Sequence, residues 1–199
     1  MAEVYLSPSS QHFNEGYGDF GTEERRMNLI ADVVQYELER NGVTTDRNAP
    51  EMGLTEIVAD ANAKNPRIYV AIQSQSADSS MRGAEIFYYK PGGNGERLAS
   101  DIFERLSAVT PTEDIGLSDG SLVYGGLGFY ELRKTRAPAV IVEVGFHDNP
   151  LDADFIIYNT YEIGVAIARG ILDYLGRGYT KNTDEAESTL KEDYNGIIF

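Results

Sequence analysis

The segment Pro138-Ala139-Val140-Ile141-Val142-Glu143-Val144-Gly145-Phe146 contains the most continuous apolar run of the chain. A run without polar alternation is typical of a strand that is buried on both faces, as in a parallel sheet. Glu143 interrupts this strand near its carboxyl end, where the sites of α/β proteins form. Because a buried carboxylate is costly unless it is hydrogen-bonded, paired or bound to a metal, the pattern predicts a functional role for Glu143. The alternative is a structural ion pair with Arg133 or Arg136.

Outward from this strand, short apolar segments alternate with amphipathic ones, which indicate strands and helices respectively. This alternation predicts a single α/β domain, with a central, mostly parallel sheet and helices on both faces. The domain is expected to occupy residues 1–176, followed by a polar, disordered tail at 177–199. Strands are predicted at residues 4–6, 43–46, 68–72, 84–89 and 137–146, helices around the apolar stripes of 27–38, 54–61, 98–106 and 163–171, a short helix from Asn149-Pro150, and an irregular stretch at 110–128.

Composition excludes several classes of protein. The 199 residues include 32 acidic and 17 basic side chains, for a formal net charge of −15, so nucleic acid is not an expected partner. The absence of cysteine excludes a disulfide framework and thiolate chemistry. No apolar stretch approaches the length that spans a bilayer, and the N-terminal residues do not resemble a signal peptide. We therefore expect cytoplasmic synthesis, no membrane partner, and action elsewhere only after release.

Three groups of polar residues are candidates for chemistry besides Glu143. Glu23 and Glu24 begin a helix after a Gly-rich loop, a place where acids also serve simply as partners of the helix dipole. His12 and His147, the two histidines of the chain, follow predicted strands. The segment Gln73-Ser74-Gln75-Ser76 also follows a strand, where neutral polar groups can bind a substrate. For the histidines the alternative is an ordinary solvated residue, and for the Gln-Ser segment an ordinary loop.

Several separated motifs occur in order along residues 3–176, which are most of the chain. The motifs are Tyr5-Leu6-Ser7-Pro8-Ser9-Ser10-Gln11, Gly21-Thr22-Glu23-Glu24-Arg25-Arg26-Met27-Asn28, Arg47-Asn48, Thr110-Pro111-Thr112, Tyr130-Glu131-Leu132, Ala137-Pro138-Ala139 and Glu143-Val144-Gly145-Phe146-His147-Asp148-Asn149-Pro150. Any one motif is weak, but the ordered set is specific. The set resembles the zinc-dependent N-acetylmuramoyl-L-alanine amidases of the amidase 3 type, in the branch common in Gram-positive bacteria and their phages.

The resemblance implies a peptidoglycan substrate and a zinc site of two histidines and one glutamate, with a second glutamate acting on the zinc-bound water. By resemblance, Glu24 matches the zinc glutamate, four residues before Asn28, and Glu143 matches the catalytic glutamate. Gln73 stands where the family has its second zinc histidine. His12 lies two residues beyond the position of the first. An amide oxygen binds zinc more weakly than imidazole, so the metal site is expected to be weakened.

Three hypotheses follow from this mixed match. The chain is a working amidase with an altered metal site built on Glu24, His12 and Gln73, or a degenerate amidase that binds peptidoglycan without cutting it, or a structural protein that has kept the fold. A phage lysin is one expected setting. The apolar end of the tail, residues 197–199, is a candidate for docking a protein partner. Asn14, Ser74, Gln75 and His147 are expected to contact substrate.

Overall fold

The computed structural model describes residues 2–199, so Met1, the first residue of the predicted domain, lies outside the described residues. Within this range a sheet of six strands has the order β2-β1-β3-β6-β4-β5. The strands are β1 (Val4–Pro8), β2 (Thr45–Arg47), β3 (Ile68–Gln75), β4 (Glu85–Tyr88), β5 (Gly116–Asp119) and β6 (Ala139–Phe146). All neighbours are parallel except β4 and β6, which are antiparallel. The predicted fold class is confirmed.

Helices cover both faces of the sheet, as predicted. The helices are α1 (Glu23–Arg40), α2 (Leu54–Lys64), α3 (Asn94–Leu106), α4 (Val123–Gly126), α5 (Tyr130–Lys134), α6 (Pro150–Tyr158), α7 (Thr160–Leu175) and α8 (Asp184–Tyr194). Alternate residues of β3 divide the core, because successive side chains of a strand point to opposite faces. Ile68, Val70 and Ile72 pack in the cluster that includes α1, α3 and α7, while Tyr69 and Ala71 pack with residues of α2 and α5. In the described part of the chain, no helix is long and apolar enough to cross a bilayer.

Side chains cap the starts of two helices. The Thr22 side chain accepts a hydrogen bond from the backbone N–H of Arg25 at the start of α1. The Asn149 side chain accepts from the backbone N–H of Leu151 at 3.0 Å, and Pro150 occupies the first position of α6. Each cap satisfies a backbone donor that the helix leaves free, and so fixes where the preceding loop ends.

Two segments are more ordered than the sequence predicts. The stretch 110–128 contains β5 and α4, and β5 pairs with β4 through backbone hydrogen bonds. This strand was not predicted, because its sequence lacks the alternation of apolar and polar residues that indicates a strand. The segment 177–199, expected to be a disordered tail, contains α8 and packs back on the domain. Arg177 pairs with Glu3 at 2.8 Å, and the Asn195 side chain accepts from the backbone N–H of Tyr161 at 2.8 Å.

A buried arginine joins the last residues of the chain to the start of α1. Arg26 is fully buried, and its guanidinium donates to the carbonyls of Phe20 and Ile197 at 2.9 and 2.8 Å. The Phe20 and Phe199 rings lie 5.4 and 4.9 Å from its central carbon. Burial lowers the pKa of Arg26 to about 10. The apolar end that the sequence offered to a protein partner thus contacts the rest of the domain, although Ile198 and Phe199 stay 61% and 45% exposed.

Close packing of α7 on α3 depends on a glycine. A Cβ added at Gly170 would lie 2.4 Å from the Cα of Ile102 and 2.7 Å from the carbonyl oxygen of Asp101. Backbone atoms cannot move aside as a side chain can, so Gly170→Ala is expected to separate the two helices and cost about 1–3 kcal/mol. Thermal unfolding should show a melting temperature lower by several degrees. Gly178→Ala, where the added Cβ meets nothing within 4 Å, should leave it unchanged. Equal melting temperatures for the two variants would contradict the packing argument.

Candidate functional site

A row of polar side chains crosses three neighbouring strands. Gln73 of β3 is in register with Glu143 of β6, which lies opposite Glu85 of β4. The period of two along each strand places these residues on the same face as Tyr69 and Ile141. Glu85 begins β4, and Gln73 and Glu143 lie two and three residues before the carboxyl ends of β3 and β6, so the row lies near the edge of the sheet where α/β sites form.

Glu143 occupies the centre of this row and is 6% exposed. Its Oε2 atom is buried without a hydrogen-bond partner, and none of the ion pairs among residues 2–199 includes it. Burial raises the pKa of Glu143 well above its usual range, and the negative charges of Glu23, Glu131 and Glu85 raise it further. The structural alternative of an ion pair with Arg133 or Arg136 is therefore wrong.

Glu85 lies at the more open side of the row and is half-buried. Its carboxylate accepts hydrogen bonds from the Gln75 side chain at 2.7 Å and from the Ser118 hydroxyl at 2.5 Å. Gln75, an expected substrate contact, therefore orients Glu85. Glu85 was not among the site residues predicted from the sequence. The alternation of residues 84–89, which sets Glu85 and Phe87 on one face, is the signal that could have found it.

Glu131, another missed residue, lies behind Gln73. Its carboxylate accepts from the Tyr69 hydroxyl at 2.7 Å and from the Gln73 side-chain amide at 3.2 Å. Burial is the largest cause that raises the pKa of Glu131, and the two hydrogen bonds oppose it. The Gln73 side chain is thus held by a buried acid. Short α5 gives no periodic signal from which the burial of Glu131 could be predicted.

Glu23, rather than Glu24, reaches the carboxylate cluster. Glu23 is fully buried, and its carboxylate accepts from the Asn14 side chain at 2.7 Å and from the backbone N–H of Ser74 at 3.3 Å. Burial raises the pKa of Glu23, against the effect of these bonds. Glu24 is half-buried, and within residues 2–199 no described hydrogen bond or ion pair uses its carboxylate.

The helical phase of α1 explains why Glu23 lies in the cluster. Glu23 is in line with Met27, Ile30 and Val34, which are all fully buried, because residues three and four apart share a face. The four-residue spacing to Asn28 points to Glu24. Glu24 is the next residue after Glu23 and therefore lies to one side of the buried stripe. The buried stripe was therefore a better guide to this glutamate than the spacing to the motif asparagine.

The structure separates the two histidines. His12 is exposed, and its ring contacts the exposed Phe13 ring at 5.4 Å, so the first loop does not bend it into the cluster. His147 is fully buried. Its Nδ1 lies 2.9 Å from the Ser74 hydroxyl, and its Nε2 has no hydrogen-bond partner. Burial lowers the pKa of His147, which favours the neutral ring. Of the first-loop candidates, only Asn14 reaches the cluster.

An aromatic series leads from the row to an exposed loop. The Phe87 ring lies 4.9 Å from the Phe129 ring, which lies 5.6 Å from the Tyr124 ring. Tyr124 has a φ of +50°, a strained value for a residue with a side chain, and is 72% exposed. Leu122 and Leu127 beside it are also largely exposed. We call Leu122, Tyr124 and Leu127 the loop tip. Exposed apolar residues next to a polar row, one of them with a strained backbone, are typical of a binding surface.

Comparison with known proteins assigns the family. A family model described as N-acetylmuramoyl-L-alanine amidase, Amidase_3, matches residues 8–173. The chain belongs to this family. It is an Amidase_3 peptidoglycan N-acetylmuramoyl-L-alanine amidase family protein, and the family is generally zinc-dependent.

Individual relatives agree with this assignment. The chain is 28% identical over 179 residues to the uncharacterized protein YqiI of Bacillus subtilis, of which it covers 84%. It is 28% identical over 181 residues to N-acetylmuramoyl-L-alanine amidase LytC of Bacillus subtilis. This match covers 86% of this chain and 35% of LytC. Among solved structures, N-acetylmuramoyl-L-alanine amidase AmiC2 of Nostoc punctiforme is 26% identical with a TM-score of 0.76, over 87% of this chain and 97% of that one. The chain thus spans about a third of LytC.

The residues present do not fit the zinc site that this Amidase_3 family implies. Among residues 2–199, no group of three or more His, Cys, Asp or Glu side chains is arranged to hold a metal ion. His12 lies outside the cluster, and the Gln73 amide is engaged with Glu131. Both carboxylate oxygens of Glu23 already accept hydrogen bonds. Zinc in proteins requires three or four nitrogen, sulfur or carboxylate ligands that converge on one point, and this donor set does not supply them.

Proposed function

We propose that this Amidase_3 protein binds peptidoglycan without cleaving it by the zinc mechanism. The observation that carries the proposal is the state of position 73, where a glutamine replaces the expected zinc histidine and donates to the buried Glu131 at 3.2 Å. We infer that the zinc site is degenerate. A neutral amide already engaged with an acid is a poor substitute for imidazole.

The retained carboxylates support a binding role. Glu143 is buried against three other acids without a partner for Oε2, an arrangement that destabilises the folded state. Apolar residues of similar volume at these positions would give a more stable domain. Sites that sacrifice stability in this way are typically sites of function. With the exposed loop tip alongside, the row offers both polar and apolar contacts for a ligand.

The substrate class comes from the family, and the place of action follows from the substrate. Peptidoglycan is the polymer that this family recognises, so we place the protein at the cell wall when it acts. The second candidate function is hydrolysis through an altered site. The presence of Glu23 and Glu143 in one cluster favours that candidate, and the same experiment tests both.

Co-sedimentation with purified Gram-positive sacculi tests the proposal. The full-length protein is expected to pellet with the sacculi and to release no new amino-terminal L-alanine, with or without added zinc. A protein that stays in the supernatant would contradict the binding role. Release of L-alanine amino termini that a chelator abolishes would instead establish a working amidase. In that case Glu143→Gln should remove the activity while binding persists.

A further inference from the structure

Four carboxylates of the site lack any protein cation. None of the ion pairs described for residues 2–199 involves Glu23, Glu85, Glu131 or Glu143. Glu85 and Glu143 are directly opposite each other on the antiparallel strands β4 and β6. Like charges in directly opposed positions repel, and the arrangement is relieved when a cation enters between them.

Glu143 gives a second, independent indication that a ligand donor is missing. Its side chain is more than nine-tenths buried in the middle of the row, yet Oε2 accepts no hydrogen bond. Buried polar atoms in native proteins almost always have a partner, so an orphan acceptor indicates a donor that arrives from outside. Glu85, the half-buried member beside it, has the Gln75 and Ser118 side chains to hold it in place.

We propose that the Glu85–Glu143 pair binds the free primary ammonium group of a peptidoglycan peptide stem. The inference rests on the proposed function and specifies which part of the polymer is recognised. Stems that are not cross-linked carry such an amine at the end of a flexible aliphatic side chain. The loop tip packs on the aliphatic part, because the aromatic series from Phe87 to Tyr124 connects it to the row.

An ammonium ion fits this place better than the other cations. It is a compact charge with three donors, which suits one orphan oxygen of Glu143 and a carboxylate opposite. A guanidinium is planar and binds best to a two-oxygen fork from one carboxylate, whereas Glu143 offers a single orphan oxygen, Oε2. A metal ion requires three converging ligands, which this part of the described chain does not provide. The net charge of −15 also attracts cationic groups to the surface.

The test compares native sacculi with sacculi whose free amines have been acetylated. Wild-type protein is expected to bind the native wall about tenfold more tightly than the acetylated wall, the loss typical of one charge-assisted contact. Glu85→Gln should weaken binding to the native wall by a similar factor and remove the difference between the two walls. Glu104→Gln, on the exposed side of α3, changes the net charge equally and should keep the difference. Circular dichroism confirms that both variants are folded.

The outcomes separate this inference from the proposed function. Equal binding of wild-type protein to both walls overturns the amine contact and leaves peptidoglycan binding intact. An amine dependence that survives Glu85→Gln overturns the assignment of the contact to this row. Binding to neither wall overturns the proposed function, and the amine contact with it.

Discussion

Replacing Glu143 with glutamine is expected to stabilise the protein at neutral pH. Glutamine keeps the shape of the side chain, removes a buried ionisable group from beside Glu23, Glu85 and Glu131, and adds N–H groups from which these acids can accept hydrogen bonds. Relieving an unpaired buried group of this kind contributes about 1–3 kcal/mol. For a domain of this size, the melting temperature should rise by several degrees at pH 7.5.

The gain should depend on pH in a defined direction. Because burial and neighbouring charges raise the pKa of Glu143 in the folded state, the unfolded chain loses its proton first as the pH rises above 4.5. The wild-type free energy of unfolding therefore falls between that value and the folded pKa, while the variant lacks this loss. Melting curves from pH 4 to 8 should show a small gain near pH 4 that grows toward neutrality.

Exposed Glu104 provides the control for this prediction. Glu104→Gln removes one negative charge from α3, far from the row, and should leave the melting temperature within about a degree at every pH, as most surface substitutions do. A gain for Glu143→Gln that is the same at pH 4 and pH 8 would show that Glu143 is not a buried acid with a raised pKa. A lower melting temperature at pH 7.5 would show that its carboxylate has a partner.

Replacing Arg26 with methionine is expected to destabilise the protein strongly. Methionine fills much of the same space but leaves the carbonyls of Phe20 and Ile197 without their donor. Losing buried hydrogen bonds to a charged group costs on the order of 3 kcal/mol, so the melting temperature should fall by roughly 10 °C. Hydrogen exchange at the amide of Phe199, which bonds to the carbonyl of Asp19, should accelerate as the last residues detach.

Arg25 is the matched control, because it is the exposed neighbour of Arg26 and meets Phe199 only through a ring contact at 5.4 Å. Arg25→Met should change stability by less than about 1 kcal/mol. Two variants with equal effects would mean that the buried guanidinium does not hold the end of the chain in solution.

Much of the fold follows from local patterns. The apolar run of β6 and the apolar stripes of α1 and α7 are clear sequence signals, because these residues are buried in the core. The direction of β4 could also have been predicted from the sequence. The link between β3 and β4 has no helix, and a parallel return needs a crossover of a dozen or more residues. The order of α8 could not be predicted, since it depends on contacts with residues distant in sequence, such as the ion pair of Lys191 with Glu162 of α7.

The site was predictable where a single residue breaks a strong pattern. Glu143 stands out as a charge inside an apolar strand, and the structure shows it buried at the centre of the row. Glu85 and Glu131 lie in segments where an acid is unremarkable, and only the register of β4 and the position of α5 bring them close. The choice between Glu23 and Glu24 required the helical phase, which a motif spacing ignores.

The contact between Gly21 and Phe199 couples two distant positions in a way that substitution histories would record. A Cβ at residue 21 would lie 2.6 Å from the Cβ of Phe199, and Gly21 has a φ of +76°. A lineage that keeps a large ring at the end of the chain is therefore confined to glycine at position 21. A lineage that lacks this ring loses the steric restriction at position 21, and only the positive φ then favours glycine there. Covariation between the first loop and the last residue is thus the evolutionary trace that this docking would leave.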